Sequence, residues 1–241
     1  MRTLYDGPVF IAYGQAYVQG PPVSAMDVAF AGQANGLCGA AFPGALFLVT
    51  GTRDGDVRFT VELHDAEPPP AGPEWQEVVE VSFRPTTETV DLVPWADAAV
   101  ATLFRFPGDG PATTYRVRYC ATAMDEGNDP WGGHDPDDDP ADLFDDRPDR
   151  YQLLFWPSPG EPAPDVIVRQ TSEIAAYWHG SVPAQPWEPS AQELAAVEEY
   201  KRSDQYRRDQ ELLALGHDAG RVMDQMRGHG KLPGSFGEPP S

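Results

Sequence analysis

Cysteine is scarce in this 241-residue chain: Cys38 and Cys120 are the only two, and they form no CxxC. One bridge at most excludes a disulfide framework and a cysteine-based zinc cluster. Basic side chains are also few, 17 against 38 acidic ones, which leaves a formal charge of −21. Phosphate contacts draw on Lys and Arg clusters, so this balance argues against nucleic acid as a direct ligand. Long apolar runs are missing: the longest, Ala40 to Val49, is broken by Pro43 and Gly44. A bilayer span takes roughly 20 residues, so no membrane span is expected. The opening Met1 to Pro8 lacks a basic start followed by an apolar stretch. No secretory signal is predicted, and the cytoplasm is the expected compartment.

The usual signatures of chemistry are absent too. Five histidines, at 64, 134, 179, 217 and 229, make no His-Glu-x-x-His pattern, and no G-x-S-x-G elbow occurs. Asp137-Asp138-Asp139-Pro140 lacks the alternation and closing Glu of a calcium loop. The glycine-rich Ala31 to Gly39 lacks the Lys-Ser/Thr ending of a phosphate loop and reads as a tight surface crossing. No catalytic residue, metal or cofactor is therefore assigned.

What is present is an apolar fraction of 41% and 26 aromatic residues, enough for a sizeable core despite 26 prolines and 23 glycines. Short β-branched and aromatic runs, punctuated by Gly, Pro and Asp, predict strands near 9–18, 45–50, 56–65, 76–83, 89–94, 101–106, 114–123 and 151–156. A ninth is expected near 165–170. In Asp56 to His64, Val57, Phe59, Val61 and Leu63 share one face, core, while Arg58, Thr60, Glu62 and His64 share the other, water. The same period separates Val79, Val81 and Phe83 from Val78, Glu80 and Ser82, and Tyr115, Val117 and Tyr119 from Arg116, Arg118 and Cys120. Thr50 to Gly55 reads as a hairpin connection that pairs the strands on either side. The fold class is all-β, an antiparallel two-sheet β-sandwich over residues 5–180. A Pro-rich linker, 181–189, leads to a helical segment, 190–227, which opens with a Ser190/Glu193 capping box, and a flexible tail occupies 228–241.

Charge concentrates in one place. Residues 125–149 hold eleven acids and one Arg, a net −10, against −7 for residues 1–124. Self-repulsion favours a solvated insertion, and dense carboxylates also suit the docking of a basic protein, raising its association rate. The candidate partner-binding residues are Trp131, Asp137, Asp138, Asp139, Asp142, Asp145 and Asp146. His134, among them, is a candidate pH-sensitive group. The aromatic runs Tyr151 to Trp156 and Tyr177-Trp178 are expected in the core.

Four stretches, Phe10 to Val18, Ala31 to Ala40, Tyr115 to Cys120 and Val168 to His179, resemble an uncharacterised β-sandwich family of high-GC actinobacteria. The usage of 15 Arg against two Lys fits such an origin. No reaction and no catalytic residue carry over from it. A more distant resemblance joins Tyr13-Gly14-Gln15, the stretch near Pro43-Gly44 and Tyr151-Gln152-Leu153 to the competence protein J family, acidic inhibitors of a partner nuclease. That resemblance implies an inhibitor and agrees with the charge argument. The leading reading is a non-enzymatic, inhibitor-type or immunity-type binding protein. Two alternatives stand beside it: a site for an enzyme or small-ligand binder in loops around Cys38, His64 or His179, and an assembly role for the C-terminal helix.

Overall fold

The computed structural model describes residues 1–20, 25–95, 98–106, 113–128, 146–182 and 202. The predicted helix 190–227, apart from Arg202, and the tail 228–241 lie outside the described residues, as does the linker from residue 183 on. Contacts divide the chain into a unit Met1–Trp187 and a second, Glu188–Ser241.

The chain is mostly β and builds two sheets. A six-stranded sheet runs in the order β1 (Arg2–Ile11), β5 (Gly55–Leu63), β10 (Asp146–Pro157), β9 (Tyr115–Thr122), β6 (Glu77–Phe83) and β11 (Val166–Arg169). A five-stranded sheet runs β3 (Cys38–Gly39), β4 (Ala45–Val49), β2 (Gln15–Gln19), β7 (Thr89–Pro94) and β8 (Ala101–Arg105). Among the described residues of Met1–Trp187, three short helices are added: α1 (Met26–Ala29), α2 (Met124–Gly127) and α3 (Glu173–Gly180).

One hydrophobic cluster takes side chains from both sheets. Phe59 and Tyr151 stack at 5.0 Å between ring centroids, Tyr119 stacks on Tyr151 at 5.7 Å, and Phe104 of the smaller sheet meets Phe155 edge-on at 5.2 Å. Tyr119 also joins the sheets by a hydrogen bond, its hydroxyl donating to the Val49 carbonyl at 3.0 Å. The aromatic run of β10 is core as expected, whereas Tyr177 on α3 is 62% exposed.

Three sequence expectations change. The run 9–18 is two strands in different sheets, because the chain reverses at Tyr13 and Gly14, both at positive φ (56° and 68°). A left-handed conformation costs a bulky residue such as Tyr13 about 1–2 kcal/mol. Thr50 to Gly55 is not a hairpin: β4 pairs with β2 and β3, β5 pairs with β1 and β10, and the connection crosses from one sheet to the other. Glycine and aspartate mark a turn, but which sheet receives the next strand is decided by what holds the turn, here groups of β10. The larger sheet is also not wholly antiparallel, since β10 pairs in parallel with β5. Four strands separate the two, the long connection a parallel pair requires, and β10 carries the near-continuous apolar run of a strand covered on both faces.

The outer face of the larger sheet is also less wet than alternation suggests. Arg116 and Arg118 are almost fully buried and both donate to Glu80, at 3.3 and 2.8 Å. Their remaining donors hold the overlying loops through the Pro164 carbonyl at 2.8 Å and the Pro69 carbonyl at 2.6 Å, and Arg118 lies over the Trp156 ring. Arg169 clamps the same cover through the carbonyls of Gly72 and Trp75.

Burial pushes the hydroxyls of Tyr119 and Tyr151 well above the ordinary tyrosine pKa, so both stay protonated in the folded chain. In the unfolded chain they ionise near pH 10. The stability these two groups contribute is therefore fully present below that pH and is lost above it, which urea unfolding at pH 8 and pH 11 will show as a lower midpoint at the higher pH.

Candidate functional site

Trp131, Asp137, Asp138, Asp139, Asp142 and Asp145, with His134, lie outside the described residues, as does the side chain of Asp146. The backbone of Asp146 opens β10 opposite Asp56. Each end of the acidic stretch is held by a carboxylate that belongs to the fold. Asp125 on α2 accepts the first free N–H groups of α3, Glu173 N at 3.0 Å and Ile174 N at 2.9 Å, while Ser172 caps Ala175 N at 3.3 Å. This is the arrangement a helix N-terminus requires, with three orphan donors satisfied and negative charge at the positive end of the dipole.

Asp149 is fully buried. Its carboxylate accepts from Thr52 N at 2.9 Å, from the Thr52 hydroxyl at 2.5 Å and from the Tyr151 hydroxyl. The Tyr151 oxygen in turn accepts from Gly51 N at 2.7 Å. Gly51 is obligatory for space, since a Cβ there would lie 2.3 Å from the Met124 carbonyl oxygen. The last acid of the stretch is thus bonded to the sheet-to-sheet crossing, and the stretch read from composition as a solvated insertion loses its two ends to structure. Periodicity does carry a signal for this: Asp149 shares the inward phase of Tyr151, Leu153 and Phe155, and Glu77 that of Val79, Val81 and Phe83. Glu77 is likewise fully buried and accepts from Ser172 N at 2.7 Å and Thr171 N at 2.9 Å.

The three groups of the small-ligand reading fall in two places. His64 stands within 2.9 Å of Glu62 on β5. Cys38 and His179 approach the same loop. Asp165 accepts from Ala34 N at 2.9 Å and Asn35 N at 2.7 Å, and Asn35 in turn accepts from Cys38 N at 2.8 Å. His179 Nδ1 accepts from Gly36 N at 2.9 Å, and a Cβ on Gly36 would lie 2.1 Å from the Trp178 carbonyl oxygen. The histidine thereby closes α3 onto the loop in its neutral form, and burial lowers its pKa from the ordinary value. Two hollows, of about 290 and 180 Å³, open on the surface. The larger lies between α1 and α3 and is lined by Phe30, Gly36 and Trp178, and neither has Cys38, His64 or His179 in its wall.

Cys38 and Cys120 are both buried free thiols, Cys38 on β3 of the smaller sheet in the shared core and Cys120 on the outer face of β9 in the larger sheet, beside Arg118. Burial raises both, Cys120 to about 12. Among the described residues no group of three His, Cys, Asp or Glu stands ready to hold a metal ion, and no helix is long and apolar enough to cross a membrane.

No family model matches the chain, and no curated protein matches it. Two solved structures are similar in outline. One is described as ComJ, inhibitor of the DNA degrading activity of NucA, from Bacillus subtilis, at 14% identity and TM-score 0.36, covering 65% of this chain and 98% of that one. The other, described as crocagin biosynthetic gene J, is 12% identical at TM-score 0.37, covering 66% and 99%.

The thiol placement gives a direct expectation. A disulfide-exchange reagent at pH 8 will modify neither cysteine in the native chain and both in denaturant, because the thiolate is the reactive form and burial suppresses it.

Proposed function

We propose that the chain is a non-enzymatic binding module of the inhibitor or immunity type, in which the two sheets form a sandwich that presents the acidic stretch to a basic partner protein. The observation that carries this reading is the concentration of −10 in residues 125–149 of a chain whose total is −21. The holding of Asp125 and Asp149 supports it by separating roles: these two carboxylates bind backbone N–H groups and stabilise the fold, whereas the sequence between them repeats Asp far beyond what capping uses. Dense like charge on a fixed base steers a cationic surface toward it and accelerates encounter, an effect that salt screens. The cytoplasmic setting belongs to the same proposal, as does the absence of catalysis. The outline likenesses to solved structures are not needed for it.

The test is affinity capture from cell extract at low and high salt with the wild type beside a variant carrying Asp137→Asn, Asp138→Asn, Asp139→Asn, Asp145→Asn and Asp146→Asn. A basic protein retained by the wild type at low salt, released at high salt and lost with the variant is the expected result. Equal capture by the variant removes the stretch from the mechanism.

A further inference from the structure

The reversal between β1 and β2 places two large aromatic rings at the surface. Tyr13 is 56% exposed and Trp95, at the end of β7, is 40% exposed, with ring centroids 4.6 Å apart in an edge-to-face contact. Tyr13 occupies the left-handed region, where turns of this kind favour Asn, Asp or Gly. The neighbouring loop fixes it there: Tyr13 N donates to Asp54 at 3.3 Å and Gly14 N donates to the Arg53 carbonyl at 2.8 Å. A strained backbone that carries an exposed ring, braced from beside, is a feature of binding surfaces rather than of packing.

The corner itself already holds a cation. The Arg53 guanidinium lies 5.6 Å from the centre of the Tyr13 ring and 3.4 Å from Asp54, so a cation between an aromatic face and a carboxylate is already the local arrangement. The acidic stretch rejoins the fold nearby. Phe10 on β1 and Asp146 on β10 both face Asp56 of β5, one strand spacing away on each side. That puts the end of the stretch about 10 Å from the strand that leads into Tyr13.

We propose that Tyr13 and Trp95, with Arg53 and Asp54, form an aromatic anchor that takes an arginine side chain of the partner protein. The guanidinium lies over the exposed rings in a cation–π contact, as Arg53 lies over Tyr13, and either adds on Trp95 or displaces Arg53. This rests on the reading of a basic partner and gives it a defined contact outside the acidic stretch.

The test is an NMR titration of the 15N-labelled full chain with deca-arginine. The wild type, Tyr13→Asn, Trp95→Ala and the five-Asn variant are compared, and the thermal midpoint of each is recorded. Tyr13→Asn suits the left-handed turn and leaves the midpoint unchanged or higher. The expected result is movement of the Tyr13, Gly14 and Arg53 amides and the Trp95 indole, with affinity at least tenfold weaker in Tyr13→Asn and Trp95→Ala. Wild-type affinity in Tyr13→Asn overturns the anchor, as does a midpoint more than 5 °C lower, which assigns the ring to the fold. If Tyr13→Asn keeps wild-type affinity while the five-Asn variant loses it, the acidic stretch stands without the anchor. If the five-Asn variant binds normally and Tyr13→Asn does not, the anchor stands without the stretch.

Discussion

The carboxylate of Asp149 is the contact on which most of the architecture converges. The chain passes from one sheet to the other at Thr50 to Asp54, and beyond Thr50, whose N–H still donates to the Gly14 carbonyl, the N–H groups of Gly51 and Thr52 are taken by side chains of β10. Asp149 takes the Thr52 N–H and hydroxyl, and through the Tyr151 hydroxyl it also fixes the acceptor of Gly51 N–H. Burying a carboxylate is costly unless its oxygens are filled, and here the donors are backbone and hydroxyl groups that would themselves be orphaned without it. The same residue begins the buried part of β10, so the parallel alignment of β10 on β5 and the placement of the crossing are set together.

The device recurs at three other places in this acidic chain. Glu77 holds the approach to α3, Asp125 its first turn, and Asp165 the loop that leads to β3. Carboxylates acting as acceptors for backbone N–H groups let a protein of charge −21 stabilise itself with part of its own excess. In the proposed reading the acids between Asp125 and Asp149 work outward. On this view the fold and the proposed binding activity draw on one chemical resource, divided by which carboxylates accept from backbone N–H groups.

The strands themselves were plain in the sequence, because alternation such as Val57, Phe59, Val61 and Leu63 is a local signal that the sheet preserves residue by residue. The partnership of strands was not. Thr50 to Gly55 has the composition of a hairpin, and only Asp149 and Tyr151, almost a hundred positions further on, turn it into a crossing. The split of residues 9–18 is not legible because Tyr13 is a poor turn former, and α3 is not because, beyond the Ser172 cap, its N-terminal support comes from Asp125 and Glu77, distant in sequence. Asp149 and Glu77 were legible in principle: each is a charge at an inward-phase position, a conflict that marks a buried, fully bonded group. The Tyr13 and Trp95 corner was not, since its two halves are joined only in space.

The most direct measurement is a double-mutant cycle over Asp149→Asn and Tyr151→Phe by urea unfolding. The account predicts that either change alone destabilises by about 2–3 kcal/mol and that the two couple by more than 1 kcal/mol, because each removes the hydrogen bond from the Tyr151 hydroxyl to Asp149 that links the acceptors of Gly51 and Thr52. Additive losses below about 0.5 kcal/mol each would contradict it and place the hold on the crossing elsewhere.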